Sequence, residues 1–231
     1  METAMQAPCA THVIRRRRSA DRFRRGPNAT ARAVLDELSR RSGSTGVRYL
    51  DTGVEACAGS GITVADTGFA DFGSPDRSPV VIRADRPQNT SGPVLVALDD
   101  DENPAALTAY GLAEARRRGV ALRTVYIWTD CRPPECDHHL ACHRDLGEAA
   151  RLLATIVDEH LRDDEVNDVE RDVLHYADPV QALAALSASA SLLIVGASSR
   201  RPESGVLLGD TTRELVARTR CPLAVVPHRL A

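Results

Sequence analysis

From Pro93 onward, short apolar runs alternate with stretches of helical periodicity. The apolar runs cover 94–98, 120–128, 169–175, 192–195 and 223–226, and the helical stretches cover 103–118, 146–161, 179–187 and 207–218. This alternation predicts a parallel sheet, because parallel strands need a long crossover connection that a helix usually supplies. Residues 93–228 are therefore predicted to form one α/β domain.

Residues that favour helix ends lie at the borders of these stretches. Asn103 precedes Pro104, which predicts an N-cap followed by a proline in the first turn, and Gly119 predicts the end of the same helix. Asp178 before Pro179 predicts a second capped start.

A glycine-bearing pattern follows the fourth apolar run. It reads Gly196-x2-Ser199-x9-Gly209-Asp210, and Cys221-Pro-Leu-Ala-Val-Val226 closes it. A strand, a turn and the start of a helix can present backbone N–H groups to an anion. The alternative is that the glycines only permit tight turns between strand and helix.

The pattern resembles the signature of the universal stress protein family, Gly-x2-Gly-x9-Gly-(Ser/Thr/Asn). The chain differs from it at Ser199, where the family has glycine, and at Asp210, where the family has a small hydroxyl or amide residue. The resemblance implies a Rossmann-like five-stranded parallel sheet of order 3-2-1-4-5 with helices on both faces. It also implies an adenine-nucleotide site that takes ATP. A carboxylate beside a polyphosphate is unfavourable, so the site is predicted to be degenerate.

The resemblance assigns ligand contacts to residues at the strand ends: Asp99, Ile127, Gly196, Ser199, Gly209, Asp210 and Thr211. Asp99 would contact the sugar or adenine region, and its alternative role is to cap the following turn. Ile127 would pack on adenine, with a plain core residue as the alternative. Two further carboxylates follow Asp99 and oppose a polyphosphate unless a divalent metal lies between them.

The first 92 residues divide into three predicted parts. Residues 1–28 form a basic tail that is poor in apolar residues and predicted to be disordered. Residues 29–83 are interpreted as the degenerate C-terminal half of a first family repeat, since 61–67 resembles 205–211 and 78–82 resembles 221–225. Residues 84–92 would be the linker of a truncated tandem protein. The alternative is an N-terminal extension with no relation to the domain.

A loop at 131–143 contains three cysteines and three histidines. Cys136, His138, Cys142 and His143 form a feasible tetrahedral zinc set, although the spacing matches no standard zinc finger. A redox-sensitive thiol pair and a plain polar insertion are the alternatives.

The composition bounds the compartment and the partners. All 29 basic residues are arginine, which we interpret as the coding bias of a high-GC bacterial genome. No apolar run is long enough to cross a bilayer, so we expect a cytoplasmic protein with reduced cysteines and no membrane partner. The arginines of the tail have no aromatic stacking platform beyond Phe23, and we expect no nucleic-acid binding.

Three functions stay open at this point. The first is a regulatory module of the stress response with a weakened nucleotide site that acts through an unknown protein partner. No catalytic constellation has a recognisable context, so this module would not be an enzyme. The second is an ATP binder with slow metal-assisted hydrolysis at 99–101, and the third is a thiol or zinc sensor at 131–143. We expect either a homodimer through the last strand or pairing of that strand with 79–82 of the same chain.

Overall fold

A computed structural model describes residues 27–42, 47–50, 62–67, 78–84, 89, 91–99, 103–128, 146–161, 169–197 and 208–227. They form five helices and eight strands. In chain order these are α1 (Ala29–Ser42), β1 (Val47–Leu50), β2 (Ile62–Asp66), β3 (Val80–Ala84), β4 (Val94–Leu98), α2 (Pro104–Arg118), β5 (Leu122–Trp128), α3 (Leu146–His160), β6 (Val169–His175), α4 (Pro179–Leu186), β7 (Leu192–Gly196), α5 (Asp210–Arg218) and β8 (Leu223–Val226).

The predicted α/β class is confirmed, and the predicted number of strands is wrong. One sheet of eight described strands has the order β1-β2-β3-β8-β7-β4-β5-β6. The five strands after Pro93 are parallel and take the predicted order 3-2-1-4-5 as β6-β5-β4-β7-β8. The other three strands continue the same sheet beyond β8.

The N-terminal strands join the sheet through an antiparallel pair. β3 pairs with β8 in the register Val80↔Val225, Val81↔Ala224 and Ile82↔Leu223. β3 also pairs antiparallel with β2, and β2 pairs parallel with β1. The edge of β8 is therefore occupied within the chain, as the intramolecular alternative for the last strand predicts.

Strand β2 lies within 61–67, the segment whose similarity to 205–211 supports the repeat interpretation. The five-residue strand carries the β-branched residues Ile62, Thr63 and Val64, which favour extended backbone. That 29–83 derives from a first repeat stays a prediction.

Two apolar layers lie on opposite faces of the sheet because successive side chains of a strand point to opposite sides. In β7, Leu193 packs in the layer that contains α1, α4 and α5, and its neighbour Ile194 packs in the layer that contains α2 and α3. The predicted helices on both faces are therefore confirmed. α1 contributes Ala31, Val34 and Leu38 to the first layer, so the N-terminal segment shares the core of the domain.

Two of the three predicted helix ends have the expected geometry. Gly119 ends α2 in the left-handed region at φ 65°, and Asp178 caps α4. Asn103 lies at the N-cap position of α2, but its side chain does not cap the helix. Its Nδ2 instead donates to the carbonyl of Pro227 at 3.1 Å and ties α2 to the chain after β8.

The structure describes residues at the borders of the predicted tail and linker. Asn28, assigned to the tail, is buried, and its Oδ1 accepts from the N–H of Ala31 at 2.8 Å to cap α1. Ala84, assigned to the linker, belongs to β3. Asn89 then donates to the carbonyl of Ser189 at 2.8 Å, which fastens the junction to the turn after α4. Among the described helices, none is long and apolar enough to cross a membrane.

Candidate functional site

A cavity of about 300 Å³ opens at the carboxyl ends of β4, β5 and β7. This is the edge where open α/β sheets hold ligands, and the volume lies at the lower end of the range for small-molecule sites, roughly 300–1,000 Å³. Its walls are mainly apolar. They are lined by Ala97, Leu98, Asp99, Leu107, Ile127, Pro179, Leu183, Val195, Gly196, Ala197, Gly209, Asp210, Thr211 and Thr212.

Helix α5 begins at this cavity with its backbone N–H groups uncapped by any described side chain. Gly209 is the N-cap in extended backbone (φ −62°, ψ 162°), and it has no side-chain oxygen to accept from the helix. Its own N–H donates to the carbonyl of Ala197 at 2.6 Å. No carbonyl within the helix accepts from the N–H groups of its first three residues, which are Asp210, Thr211 and Thr212.

Helix α4 begins beside the same cavity and differs at this point. Asp178 Oδ1 accepts from the N–H groups of Val180 at 2.9 Å and Gln181 at 3.2 Å. A carboxylate of the chain itself thus occupies the positive end of α4. Of these two helix starts at the cavity, only that of α5 is left for an anion from solution.

Hydrogen bonds fix the backbone around the two glycines. Thr212 Oγ1 donates to the carbonyl of Gly196 at 2.6 Å, which joins the first turn of α5 to the end of β7. The N–H of Ala197 donates to the carbonyl of Val226 at 2.9 Å. The α5 start therefore has a fixed position relative to the sheet edge before any ligand arrives.

Asp210 adds a negative charge to the positive end of α5. Its side chain is 94% exposed and lies 3.1 Å from Arg213 Nη1. An exposed pair of this kind contributes little to stability, roughly 0–1 kcal/mol, but it places a cation next to the carboxylate. Asp99, the other carboxylate of the cavity wall, follows the end of β4 and is exposed.

The cavity brings together six of the seven residues to which the sequence assigned ligand contacts. These are Asp99, Ile127, Gly196, Gly209, Asp210 and Thr211. Ser199 lies outside the described residues, as do Cys136, His138, Cys142 and His143. Within the described part of the chain, no group of three or more His, Cys, Asp or Glu side chains is placed to hold a metal ion.

Sequence reasoning missed the cavity walls that come from the helices. Leu107 lies on α2, and Pro179 and Leu183 lie on α4. Each reads in the sequence as an ordinary helix residue, because the approach of a helix to a strand end is set by tertiary packing. Arg213 was also missed, although its position three residues after Asp210 at a helix start is a readable signal for an ion pair.

The fold and the site define a class of protein: a doubly wound α/β protein with a cavity at its strand ends. A sequence model described as the universal stress protein family matches residues 91–227. The chain belongs to the universal stress protein family.

Curated relatives extend well beyond the matched region. Universal stress protein Rv2005c of Mycobacterium tuberculosis (strain ATCC 25618 / H37Rv) and Universal stress protein Mb2028c of Mycobacterium bovis are each 30% identical over 144 residues. The match covers 60% of this chain and 46% of each relative. The chain thus spans about half the length of the curated relatives it matches.

A solved universal stress protein from Archaeoglobus fulgidus is 16% identical and superposes with a TM-score of 0.44 over 58% of this chain and 98% of that one. A structure of the universal stress protein from the same organism in complex with dAMP is 14% identical, with a TM-score of 0.40 over 60% and 99% of the two chains.

Proposed function

We propose that this chain is a regulatory module of the stress response that binds an adenine nucleotide weakly in the cavity and acts through a protein partner. Family membership supports the regulatory role. The observation that carries the nucleotide is the uncapped start of α5 at the cavity, because such a helix start stabilises a phosphate through its free N–H groups and its dipole.

The apolar walls support a base-bearing ligand. Leu98, Ile127 and Leu183 line the same cavity as the polar start of α5, so one cavity offers contacts for both an apolar ring and an anionic group. Small-molecule sites generally combine apolar walls with a few placed polar groups. The adenine itself comes from the family resemblance, since these side chains carry no hydrogen-bonding code for a particular base.

Two carboxylates limit the charge that the cavity accepts. Asp99 and Asp210 both line it, and each repels a phosphate more strongly as the phosphate charge increases. A nucleoside monophosphate should therefore bind more tightly than ATP when no divalent metal is present. Mg²⁺ should reduce the difference, because it would lie between the carboxylates and the phosphates.

Titration calorimetry with AMP and ATP, with and without Mg²⁺, tests this function. We expect binding of AMP, weaker binding of ATP and no production of ADP from ATP. Absence of binding for every nucleotide would leave no basis for a nucleotide module. ADP that accumulates only with Mg²⁺ would favour the alternative of slow metal-assisted hydrolysis.

A substitution at the helix start tests the role of the N–H groups. Gly209→Ser places a hydroxyl where it can cap α5, and the ordinary φ of −62° accepts a side chain there. We expect AMP affinity to fall about fivefold or more, since the hydroxyl competes with the phosphate, while thermal stability rises slightly. Gly209→Ala is the matched control, because it adds the Cβ without the oxygen. Equal losses for the two variants would show that the effect is steric and that the N–H groups do not hold the ligand.

A further inference from the structure

Arg213 holds the segment that enters α5. Its Nη1 donates to Asp210 Oδ1 at 3.1 Å, and its Nη2 donates to the carbonyl of Leu208 at 3.0 Å. One guanidinium group therefore donates to the residues before and after Gly209, the N-cap of the helix. Asp210 lines the cavity, so the same group lies beside the charge that disfavours a phosphate there.

The other side of this guanidinium faces the N-terminal segment. Arg213 Nε lies 3.6 Å from Glu37 Oε2, and the Glu37 side chain is only 3% exposed. Glu37 lies on α1 and also pairs with Arg40 at 2.8 Å and Arg41 at 2.6 Å. A buried carboxylate needs such partners. Arg213 stands at ion-pair distance from Glu37, with no hydrogen bond at Arg213 Nε or Glu37 Oε2 among the described residues.

We propose that Arg213, oriented by Glu37, is a positioning residue that offsets the charge of Asp210 and so lets the cavity accept a phosphate. This inference rests on the proposed nucleotide function. At a solvent-exposed surface, the repulsion between two unit charges in contact lowers an affinity by about a factor of five. This is the scale of the repulsion between Asp210 and a phosphate that Arg213 would offset. The N-terminal segment, through Glu37, then influences how strongly a site in the family domain prefers a ligand that carries a phosphate.

The preference between AMP and adenosine isolates this role from a structural one. Both ligands share the base and sugar, and only AMP carries the phosphate. In the full chain, Arg213→Gln should lower the affinity for AMP about fivefold and change that for adenosine less than about twofold. Glu37→Gln should act in the same direction with a smaller effect, because Arg213 remains but loses its orienting partner.

A double-variant cycle tests the link between Arg213 and Asp210. Asp210→Asn alone should raise AMP affinity, and Arg213→Gln should lose most of its effect when Asp210 is already neutral. Arg218→Gln is the matched control, because Arg218 lies on the same helix in a comparable pair with Glu214 at 3.0 Å. That control should leave the affinities for both ligands unchanged.

The outcomes separate this inference from the proposed function. Binding of neither ligand by the unaltered chain would overturn both. Binding of both ligands with a ratio that Arg213→Gln leaves unchanged would overturn the role of Arg213 and keep the nucleotide function. Equal losses for AMP and adenosine would reduce Arg213 to a structural residue, and additive effects in the cycle would remove its link to Asp210. Thermal unfolding of each variant identifies a loss that comes from misfolding.

Discussion

At the residue scale, Glu114 on α2 shows how one carboxylate organises neighbouring arginines. It accepts from Arg117 Nη2 at 2.7 Å and from Arg118 Nε at 3.0 Å. Arg118 also donates to the carbonyl of Ser191 at 3.0 Å, so the pair fastens the end of α2 to the start of β7. Burial acts to raise the pKa of Glu114, but the hydrogen bonds from both arginines outweigh it and the pKa is lowered.

This lowered pKa predicts a dependence of stability on pH. Because the pKa of Glu114 in the folded chain lies below its ordinary value of 4.5, its contribution is complete above that value and is lost as pH falls through the folded pKa. Glu114→Gln should cost about 1 kcal/mol near neutral pH and much less in acid, measured by urea unfolding at the two pH values. Glu159→Gln, on the exposed surface of α3, is the control. A loss from Glu114→Gln that is the same in acid would contradict the prediction.

Single residues at strand ends were predictable, and their partners were not. Asp99 and Ile127 could be placed at one sheet edge because parallel strands end together, and Asp178 could be recognised as a cap from its proline neighbour. Asn103 has the residue type and position of a cap, yet its side-chain amide donates a hydrogen bond to the carbonyl of Pro227, which is 124 positions away. Glu37 reads as an ordinary surface acid of a helix, because nothing local indicates that α5 covers it.

At the scale of elements, α2 lies unusually close to the sheet at Gly111. A Cβ at this position would lie 2.5 Å from Val96 Cγ2 and 3.2 Å from Leu122 Cδ1. Glycine in a helix interior normally loses about 1 kcal/mol against alanine. Here α2 packs so closely on β4 that only glycine, which has no Cβ, avoids a clash with Val96.

The close contact predicts that Gly111→Ala destabilises the protein although alanine favours helices. Val96 is β-branched and stiff, so overpacking should outweigh the propensity gain, with a net loss of about 1 to 2 kcal/mol in urea unfolding. Val96→Ala in the same chain should restore the space. The double variant should then be less destabilised than the sum of the single variants, and strict additivity would show that the contact is not the cause.

The elements after Pro93 were largely predictable, because their apolar spacing and end residues agree with the packing. Strands β4, β6 and β8 have the predicted bounds, and α5 begins three residues later than expected. Strand β2 was not predicted, because five residues carry too little pattern to identify a strand.

At the scale of the whole molecule, the N-terminal segment completes the sheet of the family domain. β3 lies between β2 and β8, and α1 packs in the same core layer as α4 and α5. Sequence alone could not decide between this arrangement and a dimer, because the edge of β8 offers the same backbone groups to either partner strand.

Removal of β3 from its place should expose that edge to a second copy. Ile82→Pro takes away an N–H in the middle of a strand that pairs on both sides, and proline is poorly tolerated there. We expect a higher mass than that of the unaltered chain in size-exclusion chromatography with light scattering. Arg83→Ser, at an exposed position of the same strand, should leave the mass unchanged. An unaltered mass for Ile82→Pro, with native circular dichroism, would show that the β8 edge needs no cover.

The hydrogen bond from the N–H of Gly209 to the carbonyl of Ala197 has a consequence for protein engineering. This hydrogen bond joins the residue before α5 to the residue after β7, and Thr212 adds a second hydrogen bond to Gly196. Each doubling in the length of a flexible loop costs only about 0.6 kcal/mol once its ends are fixed. A peptide tag inserted at 200–206 should therefore leave the sheet and the start of α5 intact, and circular dichroism with thermal unfolding checks this expectation.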